Sequence, residues 1–502
     1  MSLTLNNKKI INIAIVILCL CLVTGIGSFI YNSTHSYKIS KGFETVPLQF
    51  NPDDSSSIYQ TQNAEVTVYG GFIKGIQNDK DGTKSIVIRA LSPLPAISIK
   101  GDAVDNVSLL IENINPDFYV KSIAENKLPM TKVTVNTLKI IVAINSGETI
   151  KIDPIISSDV RNTGEDKYII LGDNRDGYDT FEQIIQQVNG ESPIFIIDNG
   201  DLVFSGKPNQ YRVFDQMVSK ISSTLCTVPG NHDIRGSGRS TYTMLYGPAY
   251  YSFDFADSHF IFLDSSLGWT EKKAISDEQY TWLEKDLKKA QGKRILVITH
   301  IPPQDPRNGI VHNEIPNYVN EVKSGETWLE QKLNNYSESM SMDHGFQDPK
   351  EADKFENLMS TYLVDTVYLS HIHSYLEYTK DGVRYLITGG AGAELLTKNS
   401  YYHYIIAKIG DINTTTIIEL PSPANSYLTR YAAAIQLFAN AIYEENPVAI
   451  AFMIAGLILL IILLAVKLYL WKKHPIQTLW KWLSDTFKFA VKRFKELFNN
   501  TR

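Results

Sequence analysis

Cysteine is scarce in this chain, with three among 502 residues. Cys19 and Cys21 share one apolar run and Cys226 stands alone in a strand-like stretch, so no disulfide framework can staple the segment that follows. An oxidising compartment is permitted by this but not demanded. Basic charge is also short: 48 Lys and Arg face 54 Asp and Glu, a formal net charge of −6. A nucleic-acid binder would present a basic face matched to phosphate, so that class is disfavoured. Internal repeats are lacking as well. Charge is missing altogether from two long stretches, Ile10 to Ile30 and Val448 to Val466.

Each uncharged stretch is about long enough to cross a bilayer core as a helix. We expect transmembrane helices over 10–31 and 447–467, the first an uncleaved anchor, because its apolar part exceeds a usual signal-peptide core and no small-residue cleavage site follows. Lys8 and Lys9 precede the first stretch and a lysine-rich tail follows the second. The positive-inside rule then places both termini, 1–9 and 472–502, in the cytoplasm and everything between the spans outside. The tail sets Leu479, Leu483, Phe487, Ala490, Phe494 and Leu497 at helical spacing between lysines, a basic amphipathic helix suited to a lipid bilayer surface.

Between the spans the rhythm changes once. Residues 45–160 alternate apolar and polar positions between Asn, Asp, Gly and Pro turns, which predicts an all-β, sandwich-like domain. Residues 165–421 follow a strand, loop and helix cadence: YIILGD, then TFEQIIQQV stopping at Asn189-Gly190, then IFIID. Further on, Ser276 and Gln279 stand in capping-box positions with Gly292 closing that helix. The fold class expected for this part is an α/β sandwich with mixed sheets. The stretch from Asn308 to Met342, rich in Asn, Ser and Glu, reads as a long insertion over a site.

Five apolar strands end directly on polar residues that can ligate metal: YIILGD at Asp173, FIIDNGD at Asp201, TVPGNHD at Asn231 and His232, LVITH at His300, and VYLSHIH at His371 and His373. Sites in open α/β sheets form outside the carboxyl ends of the strands, so five loops should converge there. Mixed imidazole nitrogens with carboxylate and amide oxygens suit Mn, Fe or Zn better than Mg or Ca.

The ordered set GDNRDG, NGD, GNHD, TH and SHIH resembles the calcineurin-like metallophosphoesterase family, from Asp173 to His373 and on towards GGAGAELL. The resemblance implies a hydrolase of phosphoesters carrying two divalent metal ions, one held by Asp173, Asp201 and His373, the other by Asp201, Asn231, His300 and His371. It makes His232 a proton donor to the leaving group or a phosphate-binding cation, with Asp233 orienting its ring. One departure stands out: where the family usually reads Asp-x-His, this chain reads Asp173-Asn174-Arg175, so a neutral ligand is replaced by a permanent cation. Asn174 or Asp176 would then substitute as ligand, or Arg175 would bind substrate phosphate. The competing readings are a one-metal hydrolase with Arg175 as an electrostatic clamp, and a non-catalytic membrane receptor or scaffold that keeps the fold.

Overall fold

A computed structural model describes residues 42–79, 82–156, 166–269, 272–308, 343–395 and 400–420, with scattered positions in the two terminal segments. The terminal segments, 1–36 and 438–502, form one compact unit, and residues 37–437 form another. Among the described residues no helix is long and apolar enough to cross a membrane. The expected spans 10–31 and 447–467, the amphipathic tail and the 308–342 insertion lie largely outside the described residues.

Among the described residues the larger unit holds four sheets. Strands β1 (Phe43–Thr45), β2 (Ser56–Gln60), β3 (Ala64–Tyr69), β4 (Gly71–Asn78), β5 (Lys84–Ala90), β6 (Ala96–Gly101), β7 (Asp105–Glu112), β8 (Met130–Thr134), β9 (Thr137–Ile144) and β10 (Thr149–Ile152) make two of them, ordered β1-β4-β5-β7-β9-β8 and β10-β6-β3-β2. Their period-2 pattern has a visible cause. Ala64, Val66 and Val68 of β3 (Ala64–Tyr69) are buried while the residues between them are partly exposed, and all three enter a core shared with the opposing sheet. A short helix, α1 (Val120–Glu125), adds Ile123 to the same core.

The other two sheets carry the strand, loop and helix cadence. Strands β11 (Lys167–Leu171), β12 (Phe195–Asp198) and β13 (Thr224–Thr227) run parallel, as do β15 (Ser258–Phe262), β16 (Arg294–Ile298), β17 (Thr366–Leu369) and β19 (Val383–Thr388). Antiparallel pairing joins β14 (Tyr251–Phe255) to β15, β18 (Tyr375–Lys380) to β19, and β20 (His403–Lys408) to both β11 and β21 (Asp411–Glu419). The first of these sheets is ordered β13-β12-β11-β20-β21 and the second β14-β15-β16-β17-β19-β18. Parallel strands buried on both faces read as unbroken apolar runs, and this explains YIIL and RILVI. The pleat then sorts their side chains. Phe260, Phe262, Leu296 and Ile298 point into the core between the sheets, while Ile261, Ile295 and Val297 pack beneath α5 (Asp277–Lys289) and α6 (Pro349–Thr361). Between the sheets Tyr168 donates to or accepts from Tyr368 through their hydroxyls at 2.8 Å.

Helix ends follow local chemistry. Ser276 caps α5 by accepting from the Gln279 amide at 3.2 Å. Only half of a capping box forms, because the Gln279 amide group bonds the backbone N–H and C=O of Asp264 instead. Helix α2 (Tyr178–Glu191) runs past Asn189-Gly190 and ends at Ser192, which adopts φ 49°. The Asn189 side chain is drawn to Lys220 and Ser222 rather than to its own backbone, so it does not stop the helix.

The all-β part docks on the raw edge of both α/β sheets. Asn113, itself at φ 61°, donates to Leu225 O at 2.9 Å and accepts from Leu225 N at 3.0 Å, so its amide imitates a neighbouring strand along β13. On the other sheet, Ser55 Oγ donates to Ser252 O on β14 (Tyr251–Phe255). Both contacts are buried, and one hydrophobic core runs through the docked parts.

Candidate active site

The carboxyl ends of β11, β12, β13, β16 and β17 open on one place. Asp173 follows β11, Asp201 follows β12, Asn231 follows β13, His300 follows β16, and His371 and His373 follow β17. Three of these residues have left-handed backbone: Asp173 at φ 59°, Asp201 at φ 57° and His371 at φ 68°. Such conformations carry strain outside glycine and gather where surrounding structure over-determines them. Here the determinants include backbone bonds between loops, Asp173 N to Gly200 O and Arg175 N to Asp201 O, both at 3.0 Å. Glycine allows the close approach. A Cβ on Gly230 would lie 2.2 Å from Asp201 Oδ1, and one on Gly389 would lie 2.5 Å from Asp173 Oδ2.

Asp173, Asp201 and His300 each offer a ligand atom within 4.8 Å of the others, and all three are buried. Oδ1 of Asp173 and Oδ2 of Asp201 accept no hydrogen bond, although an orphaned buried carboxylate oxygen is costly. The second oxygens are held: Asp173 Oδ2 accepts from Ser370 Oγ at 2.8 Å, and Asp201 Oδ1 accepts from the His232 amide at 2.9 Å. His300 Nδ1 lies 2.8 Å from Asn199 O, which fixes that nitrogen as donor and turns Nε2 to the group. Asn231 Oδ1 stands 3.1 Å from the same Nε2, and the His371 ring centroid is 5.2 Å from that of His300. Two bare carboxylate oxygens with an imidazole lone pair fit a divalent cation of the Mn, Fe or Zn kind.

The charge states are split by environment. Burial lifts the Asp173 carboxyl to about 7. Burial acts on Asp201 too, but the neighbouring His232, His300 and Arg175 outweigh it and hold that carboxyl below the usual range. Burial also pushes His371 and His373 well below the ordinary imidazole range, with further help from nearby imidazoles and Arg175. Neutral imidazole is the form that ligates metal.

The guanidinium of Arg175 lies beside this group and is also buried. It reaches Nε2 of His232 at 2.9 Å, Nε2 of His373 at 3.1 Å and Oε1 of Glu394 at 2.7 Å. It also stacks 5.5 Å above the centre of the Phe204 ring. Asn174 donates to the buried Asp198 at 2.6 Å.

Asp233 and His232 meet partners other than those their expected roles require. Asp233 does not orient the His232 ring: its carboxylate accepts from the amides of Leu202, Val203 and Gly230, at 3.2, 3.0 and 2.8 Å. Adjacent residues in a tight turn project apart, and this one turns inward to hold two loops together. Nδ1 of His232 bonds Phe204 O and its Nε2 faces guanidinium nitrogens of Arg175 and Arg235, each at 2.9 Å. Burial and the two guanidiniums take its pKa down to about 3, against the pull of Asp201. Nε2 is therefore an acceptor. Glu394, Phe204, Arg235 and Ser370 were not singled out from the sequence, although Glu394 stands in the GGAGAELL run and Ser370 in SHIH.

A sandwich of mixed sheets that gathers carboxylates, an amide and imidazoles at its strand ends is similar to the arrangement that the metallophosphoesterase resemblance implies. Residues 167–375 match the calcineurin-like phosphoesterase family. Among curated relatives, the glycerophosphodiester phosphodiesterase GpdQ of Enterobacter lignolyticus is 31% identical over 134 residues, covering 24% of this chain and 46% of that protein. A probable glycerophosphodiester phosphodiesterase GpdQ of Arcobacter nitrofigilis is 27% identical over 155 residues, covering 30% and 55%. The chain thus spans about half the length of the curated relatives it matches. Among solved structures, the purple acid phosphatase PPD1 of yellow lupin superposes with a TM-score of 0.39 at 12% identity, covering 71% of this chain and 79% of that one.

Proposed function

We propose that this protein hydrolyses phosphodiesters with the help of a divalent metal, at the outer side of a membrane to which its terminal segments tether it. The observation that carries the catalytic reading is the buried group of Asp173, Asp201 and His300, two of whose oxygens accept no hydrogen bond. Asp201, His300, Asn231 and His371 would hold the metal, with Asp173 beside them. A bound divalent ion would supply Lewis-acid polarisation of a phosphoryl oxygen and of water. The chain's own residues do the rest. Asn199 O fixes the tautomer of His300, and Ser370 and the His232 amide aim the two carboxylates. Arg175 and Arg235 place permanent positive charge where the phosphate would lie, which favours the more anionic transition state in a water-poor site.

A diester substrate is favoured because both named relatives are phosphodiesterases of a glycerol diester. The membrane reading is supported by the two apolar runs and by the described positions within them. Leu22, Val23, Leu457 and Ile458 are helical, and a Cβ on Gly456 would lie 2.9 Å from Leu22 Cδ2, so the two runs touch. Ile458 and Ile461 remain more than half exposed, as residues facing lipid would be.

The test is hydrolysis of bis(p-nitrophenyl) phosphate beside p-nitrophenyl phosphate by the full chain in detergent, with Mn²⁺ and after chelation. Metal-dependent turnover favouring the diester is expected. A folded, metal-loaded protein that cleaves neither ester would overturn the catalytic reading.

A further inference from the structure

We infer that the guanidinium of Arg175, paired with Glu394, takes the place of one of the two metal ions that the family resemblance implies, so that this site works with a single metal and a built-in organic cation. The inference rests on the metal-dependent reading above and deepens it.

The two candidate metal positions differ in what their lone pairs face. At the position of Asp201, His300 and Asn231, ligand atoms converge and Asp201 Oδ2 accepts no hydrogen bond. At the position of His373 the ring is already used on both sides. Nδ1 lies 2.5 Å from Glu394 O, so it carries the proton. The remaining lone pair on Nε2 points at Arg175 Nη2, 3.1 Å away, and stands 3.7 Å from Asp173 Oδ1. That lone pair accepts a hydrogen bond where it would otherwise ligate metal.

The guanidinium is also secured as a structural cation would be. Its side chain is 4% exposed, and Glu394, itself largely buried, pairs with it at 2.7 Å. Asp173, Asp176 and Asp201 add negative charge around it. Removing a buried guanidinium from such a partner leaves an uncompensated carboxylate, which is strongly unfavourable. A dication could enter only by expelling Arg175 or by tolerating its charge at close range. Asp173, freed from a second ion, is left to the remaining metal, consistent with its place in the group of three.

Metal content decides between the two arrangements without reference to turnover. The full chain in detergent is equilibrated with Mn²⁺, freed of excess by gel filtration, and its manganese is counted against protein, with the Mn²⁺ electron paramagnetic resonance spectrum recorded. One manganese per chain with a mononuclear six-line signal is expected. His373→Ala should leave that content unchanged, and Arg175→His, which restores the neutral ligand, should raise it to two with a spin-coupled spectrum. Two manganese ions in the wild-type chain, or loss of one ion in His373→Ala, would overturn the inference. If Arg175→His does not fold, the wild-type count and the His373→Ala comparison still decide it. Absence of any bound manganese in folded wild-type protein would overturn the metal-dependent reading itself, and this inference with it.

Discussion

Nε2 of His300 lies 3.3 Å from Oδ1 of Asp201, with both side chains at most 1% exposed. The pair unites two strand ends that are 99 positions apart in number, and their approach depends on the bare backbone of Gly200 and Gly230 between them. Asp201→Asn keeps shape and removes charge. Loss of an outer partner of a metal ligand commonly costs roughly 10–100-fold, so loss of the ligand's own charge should reduce kcat/KM by at least about 100-fold. Bound metal should fall in parallel while the melting temperature of the metal-free protein does not drop. Unchanged metal content in this variant would remove Asp201 from the centre.

Asn113 serves stability rather than catalysis. Asn113→Ala leaves Leu225 N–H and Leu225 C=O buried without their partners and also cuts a bond to Ala90 O at 2.9 Å. Each orphaned buried group costs about 1–3 kcal/mol, so denaturant unfolding should show a loss of a few kcal/mol. Activity per folded molecule should stay close to wild type, since β13 supplies only one edge of the site. A stability loss below about 0.5 kcal/mol, the ordinary range for surface changes, would argue against the docking described.

His259 sets a pH dependence of stability. Burial works against its charge, but hydrogen bonds to Asp254 at 2.7 Å and Asp286 at 2.9 Å outweigh this and lift its pKa to about 9. A raised histidine pKa means that protonation stabilises the fold. The contribution is whole below about pH 6.5, the unfolded value, declines above it, and is gone once the pH has passed about 9. It amounts to about 3 kcal/mol at most, less whatever solvent screening of the half-exposed Asp254 removes. Unfolding midpoints measured across this window should fall with rising pH, and His259→Gln should flatten the slope. An equal slope in the variant would place the effect elsewhere.

Topology can be read by chemical labelling. In whole cells a membrane-impermeant maleimide should modify Val104→Cys, whose parent residue is 76% exposed. Phe487→Cys in the basic tail should react only after lysis. Protection of Val104→Cys in intact cells would reverse or abolish the proposed orientation.

How much of this was written in the sequence depends on the distance over which each feature is encoded. Apolar runs that stop on Asp173, Asp201 and His300 announce their own strand ends, because burial of a parallel strand and the polarity of its exit loop are local properties. The fate of Arg175 is not local. Its partner Glu394 is 219 positions away, in the turn after β19, and nothing in GDNRDG specifies it. Asp233 misleads for the opposite reason. Its neighbour is a histidine, yet backbone geometry separates the two side chains and gives the carboxylate to three amides. Asn189-Gly190 reads as a stop, but a tertiary bond to Lys220 takes up the asparagine and the helix continues.

The docking of Asn113 on β13 and of Ser55 on β14 gives the preceding all-β part a protective task. A sheet margin with free N–H and C=O groups recruits other chains, and both α/β sheets have one margin sealed by this neighbour. A fragment trimmed to start at residue 165 would retain every residue of the metal centre and still leave two unsealed seams, and it would clump where the longer piece from residue 42 stays monodisperse.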